Sequence, residues 1–181
     1  MKKDKQNKGN NNLPRLISKL KNEDSTYANL SKIIQTVYWV FIPLFLLMTI
    51  REYTDSKSIN DLISGSGFML SFLIFAIFFR KYYKEYNFVD YSLPTIEMLK
   101  KAVSRYQPFQ KKSLWLLLAL VSMDVGLTCN NTNENDSIIL NQSIYWGLMI
   151  LAVICGLILW YVRYKPIRDE ALQMIREIEG E

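Results

Sequence analysis

Eighteen consecutive residues without a charged side chain, 33–50, constrain this chain more than any other feature. As a helix rising 1.5 Å per residue they reach about 27 Å, enough to cross a hydrocarbon core of roughly 30 Å with help from flanking residues. Further apolar runs follow at 62–79, 113–129 and 144–162. The pattern predicts an all-α integral membrane protein, a four-helix bundle with short cytoplasmic amphipathic helices. A mean hydropathy of only +0.02 arises because these runs are averaged with highly charged connections. At 181 residues the chain is expected to form one domain, 13–181, behind a disordered basic segment at 1–12. Residues 1–12 are Lys- and Asn-rich, lack an apolar core region, and do not read as a signal peptide.

Charge sets the orientation. Of 22 Lys and Arg residues, eight precede the first run, eight lie in the connector 80–112 and four in the tail 163–181. Only Arg51 and Lys57 fall in the link 51–61, and none falls in the loop 130–143. Positive residues stay on the cytoplasmic side, so both termini are expected there, with the chain in a bacterial inner membrane. The net charge of +5 sits beside apolar runs, which favours anionic lipid over nucleic acid. Arg80, Lys81, Lys84, Lys100, Lys101 and Arg105 are therefore expected to meet the headgroups of the inner leaflet.

Within this frame a few residues stand out. Asp124 is the ionisable residue inside an apolar run, and an intramembrane acid is a functional candidate because its charge is costly in lipid. Its place five residues before Cys129, near the outer boundary, also fits a side chain that simply reaches water. Pro43, in the middle of the first run, removes a backbone hydrogen bond and is a candidate hinge. Small residues four apart, Gly67 with Ser71 and Ala152 with Gly156, can bring another helix close. Asp24 or Ser25 reads as the N-cap of the first span helix.

Three segments outside the runs have apolar residues at helical spacing: 13–20, 92–106 and 167–178. The first suits an amphipathic helix on the inner leaflet. The other two are too short to be stable alone in water. The acidic end of the tail disfavours anionic lipid, so the tail is expected to pack on the connector helix.

Enzymatic signals are missing. There is no His, which removes the usual general base and the commonest metal ligand. No nucleophile–base pair, metal constellation or phosphate loop occurs, so neither cofactor nor metal is expected. Cys129 and Cys155 are expected at different depths, unpaired. Three Asn-X-Ser/Thr matches in 130–143 read as chance in an Asn-rich loop. The remaining functional readings are a non-enzymatic subunit or regulator of a larger membrane complex, with a protein partner or a second copy, and a small transporter or channel with Asp124 in its path.

Overall fold

The computed structural model describes residues 2–108, 110–130 and 135–180, without the side chains of 2–12, 111 and 135–138. All regular structure among them is helical. The order is α1 (Lys2–Ser56), α2 (Ile59–Asn87), α3 (Thr95–Arg105), a 3₁₀ turn (Lys111–Ser113), α4 (Leu114–Asn130), α5 (Asn135–Leu159), a π-helical turn (Trp160–Tyr164) and α6 (Lys165–Glu179). Three stretches, Leu13–Ser56, Ile59–Asn87 and Ile139–Glu179, are long and apolar enough to cross a membrane. The apolar helix α4 is shorter, at 17 residues. The expected disorder at 1–12 concerns residues whose side chains lie outside the description.

Helix α1 is longer than the sequence suggested. Neither Gly nor Pro interrupts residues 15–42, so nothing ends a helix at Asp24 or Ser25, and the expected cap does not form. Pro43 also sits inside α1, which continues past it. The expected link 51–61 contracts to Lys57 and Ser58. Polar residues 51–56 prolong α1 by a further turn, until Lys57 takes a positive φ of 52°. Ser58 then caps α2, its hydroxyl accepting from the Asn60 amide at 3.2 Å. At the other end, α2 runs on through residues 80–87, with Arg80, Lys81 and Lys84 among them, before Phe88 closes it. Pro94 opens α3 and the segment containing Pro108 separates it from α4. The expected loop 130–143 is likewise shortened, because α5 already starts at Asn135.

The helices α1, α2 and α4 pack side by side, with α2 in the middle and antiparallel to both neighbours. Small residues allow this. Ser64 donates to the Gly126 carbonyl at 2.8 Å, and a Cβ on Gly67 would stand 2.8 Å from the Ser122 carbonyl oxygen. Gly65 faces Thr49 of α1 in the same way. Further along, Tyr38 stacks on Phe75 at 4.9 Å between ring centres, and Phe45 meets Phe72 edge-on at 4.9 Å. Helix α5 does not complete a shared four-helix core. It meets α4 through Tyr145, which donates to the Leu120 carbonyl at 3.0 Å, and Gln142, which donates to Thr128 at 2.8 Å. Beyond Tyr145, residues 146–159 are exposed apart from half-buried Met149.

The main core lies at the opposite end from the α1–α2 link. Leu16 and Leu20 of α1, Tyr82 and Tyr86 of α2, Met98, Leu99 and Ala102 of α3, and Ile167, Ala171, Met174 and Ile175 of α6 form one cluster. The tail helix packs on the connector helix as the short amphipathic faces required. What the sequence did not indicate is the third member: Leu16 and Leu20 are fully buried by protein and do not form a separate face for lipid.

Candidate functional site

Leu16, Leu20, Asp24, Ala28 and Ser31 are all buried along one stripe of α1. A carboxylate therefore enters the core on a face otherwise apolar or small. Asp24 is 2% exposed, and an unpaired charge there would be strongly unfavourable. Three donors answer it. Arg105 Nη2 lies 2.9 Å from Asp24 Oδ2, Tyr91 donates to the same oxygen at 2.6 Å, and Tyr106 donates to Oδ1 at 2.6 Å. Charge-assisted bonds of this length are the strong ones.

The donors are themselves fixed. The Arg105 carbonyl accepts from the Tyr86 hydroxyl at 3.0 Å and from Gln110 Nε2 at 2.7 Å. The Tyr106 carbonyl accepts from Trp160 Nε1 at 2.8 Å, where the π-helical turn leaves α5. Tyr27 packs 4.5 Å from Tyr86 and 5.8 Å from Tyr164, and Tyr164 stacks on Tyr106 at 5.7 Å. Beside this cluster, Arg163 Nε pairs with Glu23 Oε2 at 2.8 Å. One acid of α1 thus ties together the turn after α2, helix α3 and the junction of α5 with α6.

Electrostatics hold the tyrosines neutral. Burial, then the Asp24 charge, pushes the Tyr106 phenol well above its usual range. Tyr91 is raised by burial and by its hydrogen bond to Asp24. Tyr86 is raised by burial and by Tyr27, and Tyr27 is pushed up to about 12, mainly by burial. They act as hydrogen-bond donors and packing surfaces, not as proton-transfer groups near neutral pH. Among the described residues no group of His, Cys, Asp or Glu is placed to hold a metal ion.

The residues singled out from sequence are dispersed around this cluster. Arg105 is turned inward to Asp24, its side chain 10% exposed, in place of the expected lipid headgroup. Lys100 bonds Glu179 at 2.7 Å and Lys101 bonds Glu97 at 2.9 Å, while Arg80, Lys81 and Lys84 are exposed on α2. Gly67 and Ser71 are buried at helix contacts, but Ala152 and Gly156 are exposed, and nothing among the described residues lies within 4 Å of a Cβ on Gly156. Pro43 is exposed within α1. Asp124 is half-buried on α4, with Oδ1 buried and without a hydrogen-bond partner among the described residues. Cys129 and Cys155 are free.

Sequence reading passed over Asp24, Tyr91, Tyr106 and Trp160 as a set. The signal that could have found Asp24 is its spacing, four residues after Leu20 and four before Ala28. No protein-family model, curated protein or solved structure matches this chain.

Proposed function

We propose that this chain is a non-enzymatic multi-pass protein of the bacterial inner membrane, a subunit or regulator of a larger membrane complex. It crosses four times, with both termini cytoplasmic. The observation that carries the reading is the Asp24 cluster. A buried carboxylate paired with Arg105 and two tyrosines adds little net stability over an apolar core, because desolvation offsets much of the attraction. What it does supply is one fixed arrangement of the first half of α1, α3 and the α5–α6 junction at one end of the spans. A rigid helical layer at the membrane surface suits a docking platform. The distribution of Lys and Arg, twenty on one side and two on the other, supports a cytoplasmic position for that layer. Anionic inner-leaflet lipids meet the exposed Arg80, Lys81 and Lys84.

Purification in mild detergent after in-cell cross-linking tests this reading. One protein partner at fixed stoichiometry is expected, with recovery falling sharply for Asp24→Asn. A chain that elutes alone under all such conditions contradicts it.

A second reading, a small transporter or channel, draws on the buried oxygen of Asp124, which has no hydrogen-bond partner among the described residues. Flux into proteoliposomes that disappears in Asp124→Asn would favour it. Absence of flux, or flux untouched by that change, removes it.

A further inference from the structure

A slot of about 280 Å³ opens between α2 and the start of α4. Its walls are apolar: Ile74, Ile77 and Phe78 from α2 and Trp115 from α4. Lys81 and Lys112 stand at its basic end. Positions 74, 77, 78 and 81 follow one face of α2 and span roughly 10 Å of helix. The slot therefore changes from hydrocarbon-like to cationic along its length, at the point where the apolar run 62–79 gives way to basic residues.

The two lysines are held differently. Lys112 is in place before any ligand arrives, with its ammonium 4.4 Å from the centre of the Tyr82 ring and in contact with the Glu85 carboxylate. Lys81 is exposed and makes no ion pair among the described residues. Two positive charges and the one negative charge of Glu85 leave the mouth with a net +1. Trp115, 59% exposed, leaves a large apolar ring uncovered beside them.

We propose that this slot is a binding site for one anionic glycerophospholipid. An acyl chain lies along Ile74, Ile77, Phe78 and Trp115, and the phosphate sits against Lys81 and Lys112. The inference rests on the proposed membrane insertion, and adds to it a defined site where general headgroup contact would need none. Charge complementarity selects the occupant. An apolar protein helix would leave Lys81 without a counter-charge, and a free phosphate would leave the apolar walls uncovered.

Native mass spectrometry of the full-length protein, purified in mild detergent and titrated with phosphatidylglycerol or phosphatidylcholine, tests this. The wild type is expected to retain one phosphatidylglycerol in preference to phosphatidylcholine, and Lys81→Gln/Lys112→Gln to lose that preference by on the order of tenfold. Ile77→Trp, which fills the slot but keeps both lysines, is expected to weaken retention of either lipid. Lys21→Gln/Arg176→Gln removes the same charge from exposed positions elsewhere and should bind as the wild type does. Equal retention of the two lipids by the wild type overturns the proposal. So does undiminished phosphatidylglycerol binding in both slot variants. Carbonate washing of membranes separates the two levels of failure: a chain that washes off refutes membrane insertion itself, whereas one that stays but shows no lipid selectivity refutes only the site.

Discussion

Asp24→Asn keeps the shape of the side chain at the centre of the helical layer but removes the charge that Arg105 faces at 2.9 Å. Breaking a buried pair by one partner leaves the other uncompensated, so a loss of about 3–5 kcal/mol is expected, read as a lowered midpoint of thermal unfolding in detergent. The double change Asp24→Leu/Arg105→Met is expected to cost less than the single one, since no buried charge is left over. A double variant less stable than Asp24→Asn would contradict this account of the cluster. The tyrosines give a pH signature. Their folded pKa values lie above the ordinary 10, with Tyr27 at about 12. Their neutral form is the one the fold favours, so that contribution is complete below pH 10 and is lost as pH rises through Tyr27's value of about 12. Tyrosinate absorbance and thermal stability measured across that range should move together. Loss of stability that begins well below pH 10 would place its origin elsewhere.

Among the elements, the apolar helices were legible and several of their ends were not. A contiguous apolar run announces its own helix, so the positions of α2 and α4 were close to expectation. Residues 51–56, in contrast, are polar without being helix-breaking, and α1 runs through them to Ser56 before Lys57 turns the chain. The short faces of α3 and α6 were legible as a pair, because neither could be stable unburied. Leu99 and Met174 are 0% and 7% exposed in the shared cluster. Cysteines at these two positions, in a chain lacking Cys129 and Cys155, are expected to cross-link within one molecule. Failure there and one helical turn away on either side would dissolve the layer. Small residues divide into two kinds that spacing alone could not separate. Gly67→Ala drives a Cβ to 2.8 Å from the Ser122 carbonyl, so α2 and α4 must part, at about 1–3 kcal/mol. Gly156→Ala meets nothing within 4 Å among the described residues and should leave the isolated chain as stable or slightly more so.

At the scale of the whole molecule, what escaped sequence reading was long-range. Asp24 looked like a helix cap because its real partners, Tyr91 and Tyr106, are 67 and 82 residues away. Local pattern can place an acid on a buried stripe, but only the fold supplies the hydroxyls and guanidinium that make burial tolerable. The packing of α1, α2 and α4, with the Asp24 cluster at one end and the Lys57 turn at the other, gives the molecule two distinct poles. The central claim is that a membrane lies between them, with the cluster inside. Single cysteines at Asp55 and Arg176, both exposed, mark the two poles in a chain lacking Cys129 and Cys155. The direct measurement is labelling of intact cells with a membrane-impermeant thiol reagent. The account predicts that Asp55→Cys is labelled at once and Arg176→Cys only after the membrane is opened; labelling of Arg176→Cys in intact cells, or protection of Asp55→Cys, would contradict it.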